Sequence, residues 1–224
     1  MICFGHRGAS GYEPENTLRS FKRAIDFGCP WIELDVYLVD DHIVVIHDED
    51  LSRTMNGTGR VSTSNFSYLR SLDAGKGEQI PTLEEVFTLV DHQCGINIEL
   101  KGPGTAAAVG KLLASTGYPK DEILISSFDH HEVALMDPDW NRAALFEQAS
   151  SEYVDRALAL HAVSINLDRH LVTEAVVLKA HRAGLKVYVF TVNTKADLQH
   201  MDALAVDGVF SDFPDRVLAM QDKH

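Results

Sequence analysis

The sequence predicts an α/β fold of the (β/α)8 TIM-barrel class, and three observations predict it. Short apolar runs alternate with helix-period segments from one end of the chain to the other. Eight such runs can be counted, most of them rich in Val and Ile, as suits short parallel strands buried on both faces. The first run is not followed by the GxGxxG turn that an open dinucleotide-binding sheet carries there. A doubly wound open sheet is the structural alternative, because strand order is not visible in a sequence. The count of eight and the missing glycine turn favour the barrel.

The elements follow in order. Residues 2–5 form the first strand. Asn16 is placed to cap a helix that carries Leu18, Phe21 and Ile25 on one face and ends at Gly28. The second strand, 31–36, alternates Glu33 and Asp35 with Ile32, Leu34 and Val36. Roughly residues 40–80 are extra material before the next helix, opening with a hairpin-like Ile43-Val44-Val45-Ile46-His47 and turning polar and Gly-rich at Asn56-Gly57-Thr58-Gly59. No shift in composition marks a separate domain there. The expectation is a single domain over 1–224 with a small lobe inserted after the second strand, lying over the top of the barrel. Thr82 and Glu85 spell a capping box after Pro81, with Leu83, Val86, Phe87 and Val90 on the buried face of the helix. Strands at 96–100, 123–126, 142–146, 163–167, 186–190 and 208–211 complete the set. Between and after them helices follow Thr105, Phe128, Ser150 and Pro214; one ends at Gly184, and one begins at Thr194 with Asp197.

Composition narrows the function. The chain has 224 residues, 45% hydrophobic and 24% charged, which excludes disorder, collagen and a disulfide-rich mini-scaffold. A net charge of −13 argues against non-specific nucleic-acid binding and against docking on an anionic membrane through a basic patch. Cys3, Cys29 and Cys94 are an odd, scattered set without CxxC, so neither a disulfide framework nor a zinc knuckle is expected. No apolar run approaches the ~18 residues of a membrane span, and Met1 runs into Ile2-Cys3-Phe4 without a basic region. The expectations are a cytoplasmic protein, no membrane insertion, no nucleic-acid partner and a small-molecule substrate; the oligomeric state is not readable.

Chemistry in such a barrel gathers at the C-terminal ends of the strands, and unusual polar residues gather there in the first three units. His6-Arg7-Gly8 ends the first strand; Arg7 can grip a phosphate through two parallel hydrogen bonds, and His6 can carry a proton. Glu33 and Asp35 share the inward face of the second strand, where unpaired burial is costly and a hard divalent cation with oxygen ligands is the economical explanation. Asn97, Glu99 and Lys101 share a face of the third, so that Glu99 completes a three-carboxylate site and Lys101 supplies positive charge for substrate oxygens. A local Glu99–Lys101 ion pair is the plainer alternative for those two, and it is disfavoured because the second strand also offers two acids at the same barrel level. His47, delivered by a run of branched apolar residues, makes a candidate acid/base pair with His6. The other nine histidines, His224 among them, have no comparable context and most read as helix or loop surface. Two histidines, three acids, an Arg and a Lys at one end of a barrel describe metal-assisted phosphoryl or phosphodiester chemistry.

Over nearly its whole length the sequence resembles the glycerophosphodiester phosphodiesterase family. The resemblance rests on His6-Arg7-Gly8, Pro14-Glu15-Asn16-Thr17, Glu33-Leu34-Asp35-Val36 and the run from His47 through Thr54 with Asn56-Gly57-Thr58-Gly59. It continues in Ile80-Pro81-Thr82-Leu83-Glu84-Glu85, Asn97-Ile98-Glu99-Leu100-Lys101, Ser127-Phe128, and Val206-Asp207-Gly208-Val209 with Asp212 and Pro214. It implies the same barrel and lobe, His6 and His47 as the acid/base pair, Glu33, Asp35 and Glu99 as ligands of Mg²⁺ or Ca²⁺, and Arg7 and Lys101 at the phosphate. The implied reaction is hydrolysis of glycerophosphodiesters to an alcohol and sn-glycerol 3-phosphate, as in the cytosolic bacterial-type members. One position departs: Phe190 stands before Thr191-Val192-Asn193 where many members have Trp. A lipid-cleaving relative would need a route for an acyl chain, and no apolar membrane-contacting segment is visible. A binding protein without catalysis is disfavoured because every residue of the set is present.

Overall fold

A computed structural model describes residues 1–221; His224 lies outside them. Eight parallel strands close on themselves: β1 (Ile2–Gly5), β2 (Trp31–Val39), β4 (Gly95–Leu100), β5 (Ile123–Ser127), β6 (Asn141–Phe146), β7 (Ser164–Asp168), β8 (Lys186–Phe190) and β9 (Gly208–Ser211). β1 pairs with both β2 and β9, and that double pairing makes the sheet a barrel. The predicted fold class is the one observed, and the open-sheet alternative is excluded.

Helices α1 (Leu18–Asp26), α3 (Leu83–Val90), α4 (Thr105–Thr116), α5 (His130–Leu135), α6 (Tyr153–Ala159), α7 (Glu174–Arg182), α8 (Lys195–Ala203) and α9 (Pro214–Gln221) connect or follow the strands. The capping box is formed: Thr82 accepts from the Glu85 N–H and Glu85 accepts from the Thr82 N–H. One capping expectation is corrected. Thr17, not Asn16, caps α1, through its hydroxyl and the Ser20 N–H. Asn16 sits one residue outside with φ of +56°, and its amide turns inward to β2.

The inserted segment adds β3 (His42–Val45), antiparallel to the top of β2, two short 3₁₀ turns and the helix α2 (Phe66–Ser71). β2 therefore extends to Val39, three residues beyond the expected end, because the hairpin partner continues its ladder. The segment buries a small core of its own, with Val44, Ile46, Leu51, Leu69 and Ile80. A two-pronged ion pair between Arg70 and Glu85, at 2.8 Å on both prongs, ties α2 to α3.

The two sides of the barrel wall differ in chemistry. Ile32, Leu34, Val36, Ile96 and Ile98 point outward into the core beneath the helices. Inside, the lower half is plugged by Phe4, Leu124, Tyr188 and Phe210, with Phe4 stacked on Phe210 at 4.5 Å. Gly95 admits the Trp31 ring beside this plug: a Cβ there would lie 2.5 Å from the ring. Above the plug the inward residues become polar, and the site is built on that boundary.

Candidate active site

Parallel register sets the acids side by side. Asp35 of β2 lies opposite Glu99 of β4, and Glu33 opposite Asn97. One oxygen from each of Glu33, Asp35 and Glu99 falls within 4.8 Å of the others, and all three side chains are buried. Lys101 Nζ lies 3.1 Å from Asp35 Oδ1 and also donates to Glu99. Arg7 Nε lies 3.4 Å from Asp35 Oδ2, the Arg7 N–H donates to Glu33 at 2.8 Å, and the Asn16 amide donates to Asp35 Oδ2 at 2.9 Å. The Glu99–Lys101 ion pair is thus present, but it is one arm of a larger cluster.

Two cations face three carboxylates, and the electrostatics show the shortfall. Burial works against a charged Asp35, yet Lys101 and Arg7 outweigh it and hold its pKa well below the usual range. Burial, with the charges of Asp35 and Glu99, pushes Glu33 well above it; Arg7 opposes only in part. Burial and the Asp35 charge carry Glu99 up to about 7 against the pull of Lys101. A site that leaves buried carboxylates short of positive charge fits a divalent cation. Asp35 Oδ1 supports the fit, since it makes no well-aligned hydrogen bond despite the nearby Lys101. The all-oxygen donor set suits a hard ion.

Both histidines are held by a carboxylate through the same ring nitrogen. His6 Nδ1 lies 2.7 Å from Asp212 Oδ1, and Asp212 also accepts from Ser10 at 2.9 Å and from the Asn193 amide at 2.6 Å. Although burial resists, these partners, His6 first, bring Asp212 down to about 2. His47 Nδ1 lies 2.6 Å from Asp48 Oδ1. Arg53 binds the other oxygen of Asp48, bringing that carboxylate to about 2, and reaches Glu15 with both terminal nitrogens at 2.8 and 2.7 Å. Glu15 in turn accepts from Arg7 at 2.8 Å. Because a carboxylate can only accept, Nδ1 carries the proton in each ring, and Nε2 is left to exchange one with a bound molecule. Burial, assisted by Lys101 and Arg7, lowers the His47 pKa against the pull of Asp35 and Asp48, which favours the neutral ring as a proton acceptor.

His6, Arg7, Glu33, His47, Glu99 and Lys101 line one cavity of about 160 Å³ at the C-terminal ends of the strands, with Asp35 directly behind Glu99 and Lys101. The opposite wall is apolar: the Phe128 and Phe190 rings meet edge to face at 5.9 Å, and Lys101 Nζ lies 5.7 Å from the centre of Phe128. All seven residues singled out in the sequence are brought together. Sequence reasoning assigned no role to Asp212, Asp48, Glu15 or Arg53, and read Asn16 only as a helix cap. Only Asp212 had a usable local signal, since alternation along β9 puts it on the inward side with Phe210. The rest depend on loop conformations, including the φ of +54° at Arg7 and of +85° at Gly8, where a Cβ would lie 2.4 Å from Ser20 Oγ.

Comparison with known proteins gives a consistent picture. The model of the Glycerophosphoryl diester phosphodiesterase family matches residues 6–216. A glycerophosphodiester phosphodiesterase of Caldanaerobacter subterraneus is 35% identical over 97% of this chain and 96% of its own length. One from Bacillus altitudinis is 34% identical over 98% of both chains. Among solved structures, an Oleispira antarctica phosphodiesterase in complex with the product sn-glycerol 3-phosphate superimposes with a TM-score of 0.93 at 31% identity, covering 99% of this chain and 97% of that one. A Thermotoga maritima glycerophosphodiester phosphodiesterase gives 0.83 at 28% identity, over 99% and 97% of the two chains.

Proposed function

The chain belongs to the glycerophosphoryl diester phosphodiesterase family, and from that premise we propose that it hydrolyses glycerophosphodiesters, the deacylated headgroups of phospholipids, to an alcohol and sn-glycerol 3-phosphate. The observation that carries the catalytic reading is the pair of carboxylate-held imidazoles on the same cavity as the three-carboxylate cluster. A phosphodiester anion entering this cavity meets Arg7, held rigid by Glu15 and Asp35, and Lys101, held by Asp35 and Glu99. These two cations neutralise charge on the phosphate oxygens. Glu33, Asp35 and Glu99 would hold the cofactor, Mg²⁺ or Ca²⁺, which would supply positive charge to polarise a non-bridging phosphate oxygen. One histidine accepts at Nε2 the proton of the attacking hydroxyl, from water or from the adjacent glycerol hydroxyl. The other, protonated, donates from Nε2 to the departing alcohol oxygen as the P–O bond breaks, so that one proton is taken and one returned. Where the glycerol hydroxyl attacks, this step yields a cyclic phosphate, which water opens to sn-glycerol 3-phosphate with the two histidines exchanging roles. The apolar wall of Phe128 and Phe190 faces the organic part of the substrate.

The −13 net charge of the whole protein repels such a substrate, so capture depends on this local positive patch. No helix among the described residues is long and apolar enough to cross a membrane. The test is direct: the protein incubated with sn-glycero-3-phosphocholine and Mg²⁺ or Ca²⁺ should release sn-glycerol 3-phosphate. Absence of turnover with every glycerophosphodiester, under either ion, would overturn the reading.

Asp212 acts through His6 in this scheme. Asp212→Asn replaces the carboxylate with a neutral amide, so His6 loses the charged acceptor that holds its Nδ1–H and orients Nε2 for proton exchange. We expect kcat to fall by about 10²–10⁴-fold with KM changed by less than about threefold. A loss confined to thermal stability would show that Asp212 is merely structural.

A further inference from the structure

The floor of the cavity holds two buried amides, each satisfied at one end only. Asn97 of β4 donates through Nδ2 to Ser126 Oγ at 2.8 Å, and its Oδ1 has no partner. Asn166 of β7 accepts at Oδ1 from Ser164 Oγ at 2.9 Å, and its Nδ2 has no partner. Both side chains are 1% exposed, and both line the cavity that holds His6, His47 and the acids. Unmet hydrogen-bonding atoms in an interior this dry are unfavourable unless something else meets them, and both residues line the cavity where a ligand could do so.

Resting on the function proposed above, we propose that Asn97 and Asn166 form a hydroxyl-recognising floor that selects the glycerol unit of the diester. The two open positions are one acceptor and one donor, both neutral. The phosphate already has Arg7 and Lys101, and a carboxylate or phosphate oxygen gains nothing from Asn97 Oδ1, which cannot donate. A cation finds stronger ligands in Glu33, Asp35 and Glu99. The Phe128–Phe190 wall offers no hydrogen bonds to a polar group. Hydroxyl groups both donate and accept, so they can satisfy both amides, and in a glycerophosphodiester with a choline leaving group the only free hydroxyls belong to the glycerol. Serine hydroxyls on β5 and β7 lock each amide from its other end, so the open atoms are held ready for a ligand.

Calorimetric titration of the metal-loaded protein with sn-glycerol 3-phosphate and with n-propyl phosphate tests this. The second probe keeps the phosphate and the three-carbon chain and lacks both hydroxyls. The wild type should bind the glycerol compound tighter by roughly 10-fold or more. Asn166→Leu and Asn97→Leu, which keep the branched shape and heavy-atom count and remove the polar atoms, should each weaken sn-glycerol 3-phosphate by about 10-fold and propyl phosphate by less than about threefold. Equal wild-type affinity for the two probes would mean that the amides hold ordered water only, and would overturn the inference even if neither variant folds. Equal weakening of both probes in the variants would overturn it too, by making the amides structural. Turnover of sn-glycero-3-phosphocholine by the same wild-type sample separates the two conclusions. Turnover without hydroxyl preference sinks this inference alone, whereas no turnover of any glycerophosphodiester sinks the function on which it rests.

Discussion

Substitution of His47 by Ala is expected to lower kcat for sn-glycero-3-phosphocholine by about 10²–10⁴-fold, the usual contribution of a positioned acid or base. His47 makes its side-chain hydrogen bond to Asp48 and no hydrogen bond or ion pair to Glu33, Asp35 or Glu99, so metal affinity measured by calorimetry should be nearly unchanged. His6→Ala should behave alike. Its imidazole is anchored by Asp212, and its loss removes the second proton transfer. The double variant should fall little below the worse single one, because two groups that pass one proton in and one out act as a unit. Unchanged turnover in either single variant would refute the acid/base assignment. The contrast between a kinetic loss and an intact metal isotherm makes the result specific to proton transfer.

Removal of the divalent cation is the second large effect. Chelation should reduce turnover by on the order of 10³-fold or more, since a metal at this position is worth several kcal/mol of charge stabilisation. Substrate capture should suffer as well. Without the ion the cavity presents Glu33, Asp35 and Glu99 against only Arg7 and Lys101, inside a protein that carries −13 overall. Asp35→Asn should imitate chelation, because it removes one of the three buried carboxylates that would hold the ion. The check is a metal titration of wild type and variant together with turnover restored by added Mg²⁺ or Ca²⁺. Full activity in a thoroughly chelated sample would remove the cation from the reaction.

The fold was legible because its signals are local. Eight Val/Ile-rich runs, a capping box at Thr82–Glu85 and glycines at helix ends are read from neighbours a few residues apart. The acids were legible for the same reason: alternation puts Glu33 and Asp35 on one face of β2 whatever the rest of the chain does, and Asn97, Glu99 and Lys101 on one face of β4. Asn16 shows where such reasoning fails. Its type and position suit a helix cap, but a left-handed backbone turns its amide toward Asp35, and Thr17 caps instead. A preference weighed only against nearby residues loses when a buried carboxylate nearly twenty positions away needs a donor.

By itself, then, the sequence determined which residue types stand on which face of which strand, and with them the barrel, the inserted segment and the seven residues proposed for the candidate site. Only the tertiary structure decided how those residues are held. Asp212 meets His6 across 206 positions because closure of the barrel brings β9 beside β1. Arg53 bridges Asp48 to Glu15 because the inserted segment folds back over the strand ends. Asn97 and Asn166 each keep one open atom because Ser126 and Ser164 take the other. Alternation is a property of the covalent chain and survives any packing. The partner of a buried polar atom is chosen by closure of the whole barrel, where each donor must find an acceptor within about 3 Å.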